Sequence, residues 1–178
     1  MITLVTGGAR SGKSTWALEQ ALANPLKRYF IATATAFDSE MEQRINLHKY
    51  ERGSTFTTVE EPYDLLTAIQ ACDTDSSIIL VDCLTVWIGN LFYKNSDDPA
   101  CVRPHIDYLA ESIASVKNDC IIVTNEVGMG LVPETPLGRL FRDLAGRANQ
   151  VVADASDEVF LVVCGQPLQI KPPSQSVK

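Results

Sequence analysis

Short runs of β-branched and aliphatic residues alternate along this chain with segments whose apolar positions recur every three or four residues. Ile2 to Thr6, Arg28 to Ala34, Ser77 to Asp82, Cys120 to Thr124 and Glu158 to Cys164 are of strand length, and the near-continuous apolarity of such runs predicts strands covered on both faces. Thr55 to Glu60 reads as a further strand, and Leu168 to Lys171 as one at an edge. Ser14 to Ala23 carries Ala17, Leu18, Ala21 and Leu22 at helical spacing and is stopped by Asn24-Pro25. Ser39-Glu40-Met41-Glu42 is a capping-box pattern, which predicts a helix running towards Arg52-Gly53. Pro62 to Cys72 reads as a helix with Leu65, Leu66 and Ile69 inward, and Leu84 to Tyr93 as another. Asn95 to Pro99 reads as an exposed loop before a helix over Pro104 to Val116. Thr135-Pro136 supplies the cap and first-turn proline of a long helix with Leu137, Leu140, Phe141, Leu144, Ala148, Val151 and Val152 as its inward stripe. The alternation predicts an α/β fold, a mostly parallel central sheet with helices on both faces. Ligands gather at the carboxyl ends of such strands, where Gly7, Ala32 to Ala34, Asp82 and Glu126 fall. With no repeat or linker in view, the expectation is one domain over 1–171 and a frayed tail over 172–178.

Charge and cysteine usage narrow the function classes. A net charge of −7 argues against an extended nucleic-acid footprint and leaves the basic residues as local phosphate contacts. No basic N-terminal region with a following apolar stretch marks a secretory signal, and no apolar run reaches the length of a membrane span. The five cysteines are scattered without a C-x-x-C pair, which fits reduced thiols in a cytoplasmic protein better than a zinc site or disulfide framework. Cys83 reads as a small buried apolar residue.

Residues Gly7-Gly8-Ala9-Arg10-Ser11-Gly12-Lys13-Ser14 form a complete G-x-x-x-x-G-K-S motif between the first strand and the first helix. Glycines in such a loop let backbone N–H groups curl around phosphate oxygens, and the helix N-terminus adds partial positive charge. Lys13 then reaches the β- and γ-phosphates, and the Ser14 hydroxyl suits Mg²⁺. Asp82, at the end of Ile78-Ile79-Leu80-Val81, has the Walker B position for a second Mg²⁺-holding group, or else caps the following helix. Glu126 ends the next such strand; it orients a nucleophilic hydroxyl, assists the metal, or hydrogen-bonds the Gly128–Gly130 turn. No N-K-x-D base-reading motif occurs, so residue chemistry does not choose between ATP and GTP.

Of the two histidines, His105 reads as an exposed first-turn residue. On a helix from Ser39, His48 shares a face with Met41 and Ile45 and has Arg44 and Arg52 four residues to either side. It is either a structural residue or a neutral nucleophile, since flanking guanidiniums disfavour the imidazolium and bind displaced phosphate oxygens. Arg139, Arg142 and Arg147 are phosphate or substrate contacts, or simply solvated charges of the long helix; Trp16 and Trp87 read as packing or subunit-contact residues.

Taken together, LVTGGARSGKS at 4–14, IATA at 31–34, the Glu40…Arg44…His48-Lys49…Arg52 helix, TVEEP at 58–62, LVDCLTVWIGNL at 80–91, VTNEVGMGLVPE at 123–134, FRDLAGRANQ at 141–150 and DEVFLVVCG at 157–165 resemble one family. It is the bifunctional adenosylcobinamide kinase / adenosylcobinamide-phosphate guanylyltransferase family of cobalamin biosynthesis. The resemblance implies a RecA-like P-loop fold and two successive reactions. A nucleoside triphosphate, ATP or GTP, phosphorylates adenosylcobinamide. GTP then donates GMP to adenosylcobinamide phosphate, giving adenosylcobinamide-GDP and pyrophosphate. It also implies that His48 carries the GMP, and that nucleotide contacts fall on Gly7 to Ser14, Ala32, Thr33, Ala34, Arg44, Lys49, Tyr50, Glu51, Arg52, Glu60 and Asp82. A homotrimer is implied as well. The chain departs from the family pattern at Gly53, Phe56 and Thr57, where Pro, Trp and Arg are usual. Two other classes compete with this reading: a plain small-molecule kinase with a structural His48, and a RecA-type nucleotide-binding assembly module.

Overall fold

The structure, a computed structural model, describes residues 1–36 and 55–172. The expected helix from Ser39, with Arg44, His48, Lys49, Tyr50, Glu51, Arg52 and Gly53, and the tail from 173 to 178 lie outside the described residues. In chain order the elements are β1 (Ile2–Thr6), α1 (Lys13–Ala23), β2 (Lys27–Ala32), β3 (Thr57–Glu60), α2 (Leu65–Cys72), β4 (Ser77–Asp82) and α3 (Leu84–Lys94). They continue with α4 (Pro99–Ile113), β5 (Asp119–Val123), α5 (Pro136–Ala155), β6 (Glu158–Val163) and β7 (Gln166–Lys171).

The strands form one seven-stranded sheet in the order β3-β2-β4-β5-β1-β6-β7. Every pairing is parallel except β6 with β7, which closes one edge as an antiparallel hairpin. Period-two alternation divides each central strand between the two faces. Leu4, Ile31, Ile79, Val81 and Ile122 join the helical residues Leu65, Ile88, Ile106, Leu144 and Ala148 in one core. Val5, Phe30, Ile78, Leu80 and Val123 turn the other way, onto Ala17 and Ala21 of α1. Strands that feed two cores carry no polar face, which is why β1 and β4 read as unbroken apolar runs.

Caps explain where the helices differ from the sequence expectation. Helix α2 begins at Leu65 rather than Pro62 because the Asp64 carboxylate accepts from Thr67 N at 3.3 Å. Helix α4 begins at Pro99, not Pro104, and ends at Ile113. Asp98 accepts from Ala100 N at 2.9 Å and Pro99 takes the first helical position, a stronger start signal than Pro104. Pro104 and His105 then lie within the helix on its exposed side, so His105 is solvated but not in a first turn. Helix α5 starts where expected, with Thr135 Oγ1 accepting from Gly138 N at 3.1 Å. Its stripe is shorter than expected. Leu137 and Leu140 are exposed, whereas Leu144, Ala145, Ala148, Asn149 and Val152 are buried.

Candidate functional site

Gly7 leaves β1 with no space for a side chain, since a Cβ there would lie 2.5 Å from Val162 O and 2.6 Å from Ser11 Oγ. Gly12, with φ 94°, turns the chain into α1 in the left-handed region, and a Cβ there would meet Gly165 Cα at 2.9 Å. The turn between β6 and β7 thus presses on the phosphate loop, and Gly165 N donates to Ser11 O at 2.7 Å. Gly8, Ala9 and Arg10 are exposed at the rim. Ser11 Oγ is buried without a hydrogen-bond partner among the described residues, an arrangement that costs free energy until an acceptor arrives.

Lys13 opens α1 and is buried; its Nζ donates to Gly8 O at 3.1 Å, folding the side chain back across the loop. Burial holds its ammonium below the usual lysine range, with the nearby Asp82 carboxylate working in the opposite sense. A lysine so desolvated gains most from a phosphate that supplies negative charge. Ser14 follows it on the first turn of α1.

Strand order gathers the other predicted residues at the same end of the sheet. Ala32 is paired with Asp82 on one side and with Glu60 on the other, and Asp82 with Val123. Asp82 therefore sits two strands from β1, while Glu60 lies at the β3 edge, farthest from the phosphate loop along this end. The peptide joining Asp82 to Cys83 is cis. Thr33 is buried and its hydroxyl is spent on the scaffold: Oγ1 donates to Cys83 O and accepts from Cys83 N, both at 2.8 Å. Asn90 Nδ2 donates to Thr33 O at 2.8 Å and to Pro62 O at 3.1 Å. Any nucleotide contact at Ala32 to Ala34 falls to the main chain. Cys83 is buried as expected, and burial pushes its thiol up to about 12.

Glu126 N donates to Gly7 O at 3.0 Å, joining the end of β5 to the start of the phosphate loop. Its Oε1 accepts from Gly128 N at 3.1 Å, so the turn-holding role anticipated for this residue is present. Beneath it lies a closed polar ring that sequence reasoning missed. Asn125 N donates to Thr85 Oγ1 at 2.8 Å, Thr85 and Thr124 share a hydroxyl contact of 3.0 Å, and Thr124 Oγ1 donates to Asn149 Oδ1 at 2.7 Å. Asn149 Nδ2 returns to Asn125 O at 3.1 Å. Because the Thr124 hydrogen is committed to Asn149, Thr85 is the donor of the pair. The signal available was a carboxamide inside the apolar stripe of α5.

Oxygen donors are what a hard cation requires, and the Ser14 hydroxyl and the Asp82 carboxylate are of the donor type that would suit Mg²⁺. No cluster of three or more His, Cys, Asp or Glu suited to a metal occurs among the described residues. The arginines of α5 point elsewhere. Arg139 Nη1 donates to Pro133 O and Glu134 O at 3.0 and 2.8 Å, and Arg142 pairs with its neighbour Asp143 at 2.8 Å. Arg147 faces Asp107 at 3.6 Å in a groove of about 470 Å³ between α4 and α5, on the helical face and not at the strand ends. Trp87 is a packing residue whose Nε1 donates to Tyr63 O at 2.7 Å, and Trp16 packs on Phe160 with ring centroids 4.7 Å apart.

Comparison with known proteins extends these observations. The family model described as cobinamide kinase / cobinamide phosphate guanyltransferase matches residues 3–170. The bifunctional adenosylcobalamin biosynthesis protein CobU of Escherichia coli strain K12 is 40% identical over 182 residues, covering 96% of this chain and all of that protein. Its counterpart from Salmonella typhimurium strain LT2 is 41% identical with the same coverage. The bifunctional protein CobP of Pseudomonas aeruginosa strain PAO1 is 37% identical, with 96% of this chain and 98% of that protein covered. Among solved structures, the RadB recombinase superposes with a TM-score of 0.53 at 16% identity, over 90% of this chain and 73% of that one. A Pyrococcus horikoshii OT3 protein superposes with a TM-score of 0.57 at 6% identity, over 99% and 88%. These two share the fold, which is RecA-like.

Proposed function

The chain belongs to the cobinamide kinase / cobinamide phosphate guanyltransferase family, and from that premise we propose how one phosphate cradle serves both reactions. The enzyme is a bifunctional transferase of cobalamin biosynthesis: it phosphorylates adenosylcobinamide with a nucleoside triphosphate and then transfers GMP from GTP to the phosphorylated product. The observation that carries the mechanistic reading is the meeting of the phosphate loop with Asp82 and Glu126 at the same end of the sheet.

In the kinase step, Lys13 leaves Gly8 O for the β- and γ-phosphate oxygens, and the loop amides from Gly8 onward hold the same groups. Glu126 faces the acceptor hydroxyl and orients it towards the γ-phosphorus. Ser14 and Asp82 hold Mg²⁺, which when bound neutralises phosphate charge as it develops. In the transferase step, the neutral His48 imidazole attacks the α-phosphorus of GTP and its bond to pyrophosphate breaks. The GMP so held passes to the cobinamide phosphate oxygen, returning a free imidazole. Arg44, Lys49, Tyr50, Glu51, Arg52 and Glu60 complete the GTP contacts. The net charge of −7 supports a reading with no nucleic acid among the partners.

Incubation with α-labelled GTP and Mg²⁺ leaves an acid-labile, alkali-stable label on the protein, and His48→Ala abolishes it. Equal labelling of the variant would move the covalent site away from His48, whereas γ-phosphoryl transfer with no α-label on the unmodified enzyme would favour a plain kinase. We further infer a cytoplasmic homotrimer. The free thiols Cys72, Cys83, Cys101, Cys120 and Cys164 support the compartment. The exposed Val163, Leu168 and Ile170 of the β6–β7 hairpin offer an apolar surface for subunit contact. Sedimentation of the protein at any mass other than that of three protomers would rule the trimer out.

A further inference from the structure

The loop after Glu126 carries Met129, Leu131 and Val132 with 77, 94 and 68% of their surfaces exposed. Three large apolar side chains within four residues have no packing reason to face water on a protein whose two cores are otherwise filled. The loop is also not slack. At one end Glu126 N is tied to Gly7 O at 3.0 Å and Glu126 Oε1 holds Gly128 N at 3.1 Å. At the other, Arg139 Nη1 binds Pro133 O and Glu134 O, and Thr135 caps α5. The apolar side chains are therefore displayed from a loop anchored at both ends, and its first residues touch the phosphate loop itself.

We propose that Met129, Leu131 and Val132 form the surface on which the corrinoid macrocycle rests. The proposal builds on the assigned kinase and transferase activities. The acceptor is a flat macrocycle with apolar faces and a carboxamide rim, and only its short hydroxyl-bearing arm takes part in the chemistry. That hydroxyl must enter beside Lys13 and Glu126, so the ring must lie immediately outside the strand ends. The exposed apolar loop leaves this point directly from Glu126. By contrast, Val163, Leu168 and Ile170 lie on the β6–β7 hairpin at the sheet edge, and Tyr93 and Tyr108 on α3 and α4.

The test uses the full-length protein with cobinamide, whose binding is read by equilibrium dialysis and visible absorbance. The double variant Met129→Ala/Leu131→Ala and the single variant Leu131→Asp are compared with the unmodified enzyme. Loss of the apolar contacts is expected to raise Kd and KM for cobinamide by about tenfold or more while KM for the nucleotide changes little. Unchanged cobinamide affinity in both variants would overturn the assignment, as would their sedimentation as a smaller species, which would give the loop to a contact between copies. Failure of the unmodified enzyme itself to bind cobinamide would overturn the functional reading together with the loop.

Discussion

Asn149 is a carboxamide on the buried side of α5, and its position is explained by the ring it closes with Thr85, Thr124 and Asn125. Buried polar groups are retained when every partner is satisfied, and here each end of the ring returns to Asn125, next to Glu126. Asn149→Ala removes the acceptor of the Thr124 hydroxyl and the side-chain donor to the Asn125 carbonyl. The expected cost is about 1–3 kcal/mol in urea unfolding. A loss below a few tenths of a kcal/mol would mean that water replaces the amide. Asn149→Asp keeps an acceptor for Thr124 but sets a buried carboxylate oxygen against the Asn125 carbonyl, and should cost at least as much as the alanine variant at neutral pH.

At the level of elements, Asp73 joins the end of α2 to the turn before β5. Its carboxylate accepts from Lys117 N at 3.0 Å, and from Asn118 N and Nδ2 at 3.0 and 2.7 Å. Burial works to raise its pKa, but the hydrogen bonds from Lys117 and Asn118 outweigh burial, and the group titrates below the ordinary aspartate range. A depressed carboxyl stabilises the fold above its unfolded pKa, and the contribution disappears as pH falls through the lower folded value. Asp73→Asn should thus lower stability by about 1 kcal/mol at neutral pH, with the two proteins converging in acid. A constant difference down to strongly acidic pH would contradict this account.

The same scale shows what was legible in the sequence. Strands β1, β4 and β5 were plain because burial on both faces leaves no polar positions to confuse the period. The phosphate loop was equally plain, since its glycines answer to local backbone geometry. Helix α4 starts five residues before the sequence expectation because the Asp98 cap with Pro99 in the first turn outweighs the backbone hydrogen bond that Pro104 forgoes inside the helix. Leu137 and Leu140 kept the period of the stripe, but α5 passes beyond the core at that end. The polar ring was invisible because Thr85, Thr124 and Asn149 meet only through the sheet order, which no local pattern encodes.

For the molecule as a whole, the distribution of thiols offers a measure of how far the two cores are closed. Burial raises both Cys83 and Cys120 to about 12, and Cys72 is also buried with its pKa raised by desolvation. Cys101 and Cys164 are exposed. Native alkylation followed by mass spectrometry should modify Cys101 and Cys164 promptly, and the other three only at the rate of unfolding. Prompt modification of Cys120 would mean that the central sheet opens locally.

The contact of Gly165 with Ser11 and Gly12 brings nearly opposite ends of the chain together at the first loop. Lengthening the hairpin at Cys164-Gly165 by even a few residues would drive backbone into the mouth that receives triphosphate. Tags and grafted sequences therefore belong at the outlying bend over Asn95 to Asp97, where the chain reverses in solvent, far along the sequence from either partner of that contact.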